Sequence, residues 1–193
     1  KAGECTLQNY YMQHDQKDGK QEFVRFKKNK AEDIGPTMIL DQERCVLCNR
    51  CVRFLRDCAG EEQLYIAGRG HSAFLTKFPG KEVDSPYSLN TVDICPVGAL
   101  TSRDFRFRKR VWWLSENDGI CPGCATGCNM EIHHADNQAY RFKPRHNDAV
   151  NGYWMCDEGR LLYKQLNTES RLSAPTVMGA EASWEAAIEA ARA

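Results

Sequence analysis

The chain has 193 residues, 42% of them hydrophobic and 27% charged, which is the composition of a globular protein with one or two modest cores rather than of a disordered segment. Its 26 basic and 26 acidic side chains balance to a formal charge of zero, so no global field argues for nucleic acid or for an anionic membrane surface. No stretch approaches the eighteen or so apolar residues of a spanning helix, and Lys1-Ala2-Gly3-Glu4-Cys5 lacks the apolar core of a signal peptide, which together predict a reducing, cytosol-like setting.

In chain order, the segment from Cys5 to about Met38 predicts a small cap or hairpin, with Glu22-Phe23-Val24-Arg25-Phe26 in the period-2 pattern of a strand. From Cys45 to about Asp57 a loop enters a short helix with Val52 and Leu55 on one side. Residues Gly60 to Asn90, rich in Gly, Pro and Ser, carry the chain back to a turn at Cys95-Pro96-Val97-Gly98, with a helical turn expected into Ala99-Leu100. Arg103 to Leu114 reads as an extended link, and a boundary falls near Ser115. Asn129 to His133 and Ala139 to Phe142 read as strands framing a turn at Asp136-Asn137. A helical stretch from Leu161 to Leu166, a linker from Ser170 to Ala182, and a helix capped by Ser183 and begun by Trp184 complete the chain. It begins without Met and ends inside that helix, the pattern of a piece of something larger.

Six of the ten cysteines fall in two tight clusters, a spacing that suits metal ligation better than disulfides. Cys45-x2-Cys48-x2-Cys51 sets three thiols on one loop, and Cys95, followed by Pro96, offers a fourth after 43 intervening residues. Three cysteines at i, i+3 and i+6 wrap the corner of a 4Fe-4S cubane, whereas structural zinc prefers two separated C-x2-C pairs. The proline removes an N–H and fixes the turn that aims the last thiolate inward. A two-cluster ferredoxin would place its next cysteine at position 55, which is Leu55 here; Cys58 is off register and reads as a buried or free thiol.

Cys121-x2-Cys124-x3-Cys128, closed by Cys156 after 27 intervening residues, is a second set of four. Pro122, Gly123 and Gly127 let the backbone fold tightly around these thiols and offer N–H groups to inorganic sulfur. A 4Fe-4S cluster suits this set better than zinc, because Cys156 stands alone. Cys5 has no ligand-spaced neighbour in the chain, and the five histidines form no i, i+3 or i, i+4 metal face. The basic, aromatic run from Arg103 to Arg110 reads as a solvated strand or a subunit contact rather than an RNA site. A zinc-binding structural module remains the alternative of another class.

These motifs resemble the large iron-sulfur subunit of respiratory NADH:quinone oxidoreductase, the 75 kDa family of complex I, over nearly the whole chain. The resemblance rests on Gly3-Glu4-Cys5-Thr6-Leu7-Gln8, on the first cysteine set with Asp93-Ile94-Cys95-Pro96-Val97-Gly98-Ala99-Leu100, and on the second with Trp154-Met155-Cys156-Asp157-Glu158-Gly159-Arg160. The last string also resembles the cluster domain that opens molybdopterin oxidoreductases. An NAD-linked formate dehydrogenase, or another molybdopterin oxidoreductase, is the neighbouring alternative. Leu55 argues against it, since those enzymes commonly carry the full two-cluster ferredoxin pattern.

The resemblance implies an α+β chain: a remnant of a His/Cys-ligated cluster region over 1–38, a ferredoxin-like 4Fe-4S module over 39–114, a β-rich molybdopterin-oxidoreductase-type 4Fe-4S domain over 115–168, and the start of a truncated molybdopterin-like domain over 169–193. It implies two 4Fe-4S clusters, on Cys45, Cys48, Cys51 and Cys95 and on Cys121, Cys124, Cys128 and Cys156. Cys5 would be the last ligand of a third 4Fe-4S cluster which, with a 2Fe-2S cluster, belongs to the full-length subunit. The implied role is electron relay in an NADH dehydrogenase, with no catalytic acid or base in this piece. Implied partners are the flavin- and NADH-binding subunit and the quinone-side iron-sulfur subunits of the peripheral arm, with neither nucleic acid nor direct membrane insertion. The implied place is the cytoplasmic face of a bacterial inner membrane, or the matrix face in mitochondria.

Overall fold

The computed structural model describes residues 2–14, 27–172 and 174–192; the strand expected over 22–26 lies outside them. Where a cap or hairpin is expected after Cys5, the chain forms helix α1, Thr6–His14, on which Leu7, Tyr10 and Tyr11 recur at helical rather than strand spacing. Further along, β1 (Glu32–Asp33) and β2 (Met38–Leu40) run antiparallel. Met38 and Leu40 share one face of β2 and are wholly buried, the alternation of a half-buried strand. A 3-10 turn at Gln42–Arg44 follows, its N-cap Asp41 accepting the Glu43 N–H at 3.1 Å.

The loop from Cys45 leads into α2, Arg50–Arg53, which runs on as a π-helical turn, Phe54–Cys58. The widened turn drives Phe54 and Leu55 into the core, Leu55 with no exposed surface, so the position where a ferredoxin would carry a ligand is a core position here. A hairpin then appears in the stretch expected only to connect: β3 (Leu64–Ala67) and β4 (Phe74–Lys77), with Leu64 and Leu75 buried. The apolar β-formers Leu64, Tyr65 and Ile66 are the signal for it, obscured in sequence by Gly68 and Gly70.

Helix α3, Asn90–Ile94, ends on Cys95, whose N–H closes onto the Thr91 carbonyl at 3.1 Å. The chain then extends as β5, Leu100–Ser102, rather than entering the expected helical turn. Leu100 pairs with Leu40 across a three-stranded sheet of order β1-β2-β5, and this pairing with buried β2 overrides the local helical preference of Ala99 and Leu100.

Residues 103–108 coil through turns, and Val111–Trp113 forms a 3-10 turn, so the expected extended link is compact. Beyond it lies an antiparallel sheet of β6 (Ser115–Ile120), β7 (Asn129–Ala135) and β8 (Gln138–Pro144). The β7–β8 turn falls on Asp136 and Asn137 as expected, with φ of 51° and 58°; Asp and Asn tolerate this left-handed region and suit a two-residue hairpin. Helices α4 (Asp157–Leu161) and α5 (Tyr163–Leu166) pack against β8. A small hairpin, β9 (Thr176–Val177) and β10 (Ala180–Glu181), lies within the expected linker. It precedes α6, Trp184–Arg192, whose Ser183 hydroxyl accepts the Ala186 N–H at 3.2 Å, the expected cap.

The larger core gathers Met38, Leu40, Leu55, Leu64, Val83 and Leu100, and the smaller one Met130, Phe142 and Met155. Trp154 and Leu161, from the segment around Cys156, pack against the larger core. The two halves therefore share packed surface at the point where the second cysteine set closes.

Candidate metal centres

The first quartet is assembled by three elements. Cys45 and Cys48 lie on the loop before α2, Cys51 lies within α2, and Cys95 ends α3. All four line one recess, closed by Ile66, Leu75, Val97, Ala99 and Leu100. The loop winds through Leu47 and Asn49, both at left-handed φ (52° and 64°). Such backbone costs on the order of 1 kcal/mol per non-glycine residue and survives where surrounding structure demands it. Here it turns Cys45, Cys48 and Cys51 toward a common centre. Burial is graded around the recess: Cys51 is buried, Cys45 and Cys95 are half-buried and Cys48 is exposed. Burial, reinforced by the neighbouring Cys95 sulfur, pushes the Cys51 thiol up to about 12; burial also raises Cys45, against a Leu47 N–H that favours its thiolate.

The second quartet is built differently. Cys121 follows β6, its N–H bonded to the Cys128 carbonyl at 2.8 Å, so these two thiols start from one closed loop. Cys156 caps α4, its sulfur accepting the Gly159 N–H at 3.3 Å. Cys121 is buried, Cys128 and Cys156 half-buried and Cys124 exposed. Burial and then the Cys121, Cys156 and Cys124 sulfurs raise the Cys128 thiol. The Thr126 hydroxyl, followed by the Thr126 N–H, lowers that of Cys124. Gly159 is required by this packing: a Cβ there would meet the Met155 methyl at 2.9 Å, the Cys121 sulfur at 3.1 Å and the Cys156 sulfur at 3.3 Å.

The spread of the sulfurs distinguishes the groups they could hold. Tetrahedral zinc with Zn–S bonds of about 2.3 Å would bring its thiolates to roughly 3.8 Å from one another. Among the described residues, no three of these sulfurs lie within 4.8 Å of one another. The sulfurs of neither set therefore stand as close together as a single zinc ion would hold them, and the recess at the first set has a predominantly apolar wall.

Cys5, buried at 6% exposure, stands at the start of α1, its sulfur accepting the Gln8 N–H at 3.4 Å, and among the described residues it joins no group of three ligand side chains. Cys58 is exposed at the end of the π turn. A group invisible to sequence reading is Glu116, Glu131 and His133, brought together by the β6–β7 register. Arg141 points its guanidinium at His133 Nδ1 (3.4 Å), so the ring accepts there and its Nε2–H faces Glu131 (3.4 Å). With the Arg141 cation beside it and paired with Glu4, the cluster is a polar network around a neutral ring rather than a cation site.

The segment joining the quartets is the other feature that sequence reading missed. Asp157 accepts the Leu89 N–H (2.9 Å) and the Ser88 hydroxyl, and its own N–H donates to the Pro86 carbonyl at 2.7 Å. Arg160, 5% exposed, donates to Asn90 Oδ1 at 2.6 Å and pairs with Asp93 at 2.7 Å. Burial pushes the Asp157 carboxyl up, against the bonds from Ser88 and Leu89.

Comparison with known proteins gives two domain matches in order. Residues 35–101 match the NADH-quinone oxidoreductase subunit 3 ferredoxin-like domain, and residues 114–168 match the molybdopterin oxidoreductase Fe4S4 domain. These domain types indicate two 4Fe-4S clusters. An NADH-quinone oxidoreductase subunit of Streptomyces coelicolor is 37% identical over 99% of this chain and 23% of its own length. The mitochondrial NADH dehydrogenase [ubiquinone] iron-sulfur protein 1 of Solanum tuberosum is 36% identical over 96% of this chain and 25% of its own. The mitochondrial NADH-ubiquinone oxidoreductase 78 kDa subunit of Candida albicans is 35% identical over 97% of this chain and 26% of its own. A solved NAD+-reducing [NiFe]-hydrogenase in the H2-reduced state overlaps 56% of this chain and 47% of its own at 28% identity, with a TM-score of 0.47. The chain spans about a quarter of the length of the three relatives named. With both cluster domains in order, the chain is similar over nearly its whole length to the large iron-sulfur (78 kDa) subunits of NADH-quinone oxidoreductases.

Proposed function

We propose that this chain relays single electrons within an NADH-quinone oxidoreductase, through one 4Fe-4S centre on Cys45, Cys48, Cys51 and Cys95 and a second on Cys121, Cys124, Cys128 and Cys156. The observation that carries the reading is the gathering of each quartet, the first on one recess and the second around Cys128, beside which the sulfurs of Cys121, Cys156 and Cys124 lie. Such clusters supply one-electron redox chemistry when bound. The chain's own part is placement. Cys51 and Cys121 are the dry corners of the two sets, and Cys48 and Cys124 are the corners that face the surface. N–H and O–H donors aimed at sulfur, from Leu47 to Cys45, from Thr126 to Cys124 and from Gly159 to Cys156, stabilise thiolate charge and thereby favour the reduced state.

The first centre is the through-path relay, taking electrons from the side of a flavin-bearing, NADH-oxidising subunit and passing them toward quinone-side iron-sulfur subunits. The second is a side or structural centre, and Cys5 is the last ligand of a further centre. No helix among the described residues is long and apolar enough to cross a membrane. Attachment to the cytoplasmic or matrix face would come through other subunits.

The test is iron and acid-labile sulfide per chain in anaerobically prepared protein, with EPR after dithionite reduction, in wild type, Cys48→Ser and Cys124→Ser. About eight irons and two separable signals, each altered or lost with its own variant, are expected for two four-iron centres. Stoichiometric zinc without a signal would overturn the reading in favour of a structural module.

A further inference from the structure

We propose that Asn90 is the positioning residue that registers the two cysteine quartets against each other. The inference rests on the relay reading, since it concerns how two redox centres are held. Asn90 has no exposed surface, and its side chain uses its full hydrogen-bonding capacity. Nδ2 donates to the Tyr87 carbonyl at 2.9 Å and to the Met155 carbonyl at 3.0 Å; Oδ1 accepts the Met155 N–H at 3.2 Å and the Arg160 guanidinium at 2.6 Å.

The placement of these bonds matters more than their number. Asn90 opens α3, the short helix that ends on Cys95. Met155 precedes Cys156, and Asp157, which follows it, is itself bonded to Leu89 and Pro86. Cys156 is therefore the single residue between two that are both tied to the 86–90 segment, so the direction of its thiol is set from the first module. Arg160, one turn further along α4, closes the loop onto Asp93, two residues before Cys95. The closing thiols of both quartets thus hang from one buried polar bracket with Asn90 at its centre.

No other side chain reproduces this. Alanine removes both bonds to Met155 and leaves the Arg160 contact unmade. Aspartate keeps the two acceptor bonds and loses both donations. Because thiolate direction and N–H···S bonding tune cluster electronics, loosening the bracket is expected to be felt at both centres.

The experiment uses the full polypeptide with its clusters and compares wild type, Asn90→Ala, Asn90→Asp and Val83→Ala. Val83 is wholly buried in the larger core and makes none of the bracket's hydrogen bonds, so it supplies a destabilised control. The readouts are iron per chain, the EPR g-values of each centre and each midpoint potential. Two signals in wild type are the condition of the relay reading, so failure of that reading appears there, whereas failure of this inference appears only in the variants. Asn90→Ala is expected to keep its iron while the g-values and potentials of both centres shift, with Asn90→Asp between it and wild type and Val83→Ala unshifted. A shift at one centre alone, no shift, or an equal shift in Val83→Ala would overturn the proposal.

Discussion

The indole of Trp154 lies tilted across the ring of Phe54, their centroids 4.6 Å apart. Phe54 is three residues past Cys51 and Trp154 two before Cys156, so one aromatic contact joins the backbone of both cysteine sets. Aromatic pairs at this spacing add roughly 1 kcal/mol beyond the area they bury, and truncating such a tryptophan costs on the order of 3 kcal/mol. Trp154→Ala is expected to lower the thermal stability of both halves together. Bleaching of the two centres, followed by absorbance and by EPR at stepped temperatures, should move down in parallel. Loss of the second centre alone would show that the halves unfold independently.

Gly159→Ala tests the closeness of the second quartet. The added methyl would sit 3.1 Å from the Cys121 sulfur and 3.3 Å from that of Cys156, tighter than ordinary carbon–sulfur contact, so both sulfurs would have to give way. The Met155 methyl group at 2.9 Å can swing away, but the two sulfurs are needed where they are. Iron per chain is expected to fall by about four, the content of one 4Fe-4S cluster, with the first centre's EPR signal retained. Full iron with two unchanged signals would mean that the thiols give way freely.

Cys58→Ser is expected to change little. The thiol is exposed and off the ligand spacing, and surface substitutions of this kind usually stay within about 0.5 kcal/mol. Iron content and both signals should match wild type. A missing centre in this variant would make Cys58 a ligand and displace one of the four assigned to the first site.

Much of the site was legible in the sequence, because ligand spacing is a local pattern: Cys45-x2-Cys48-x2-Cys51 and Cys121-x2-Cys124-x3-Cys128 each lie on one continuous stretch. The β7–β8 hairpin was legible for the same reason, through Asp136-Asn137 between alternating segments. The β3–β4 hairpin was hidden because Gly68 and Gly70 between its strands imitate a plain connection, and β5 was hidden because its pairing partner lies about sixty residues upstream. The bracket of Asn90, Met155, Asp157 and Arg160 had no local signature at all. Its residues read as ordinary members of two cysteine motifs, and only their meeting across 65 positions or more makes them partners.

His133 gives the fold a pH dependence of definite sign. The ring is 2% exposed, and burial, then the Arg141 cation, hold it far below its ordinary value, at about 4. In the folded protein the ring is therefore neutral, while in the unfolded chain it takes up a proton near 6.5. The unfolded state binds the extra proton between these two values, so the contribution is fully present above about pH 6.5 and is lost as pH falls toward 4. The gap corresponds to on the order of 3 kcal/mol. Urea midpoints for the second domain, measured from about pH 7.5 down to about 5.5 where the clusters survive, should begin to fall below about pH 6.5 in wild type. The slope should flatten in His133→Gln, which keeps a neutral polar side chain that no longer titrates. An equal slope in the two proteins would assign the acid sensitivity to Glu116 and Glu131, the carboxylates facing the ring, instead.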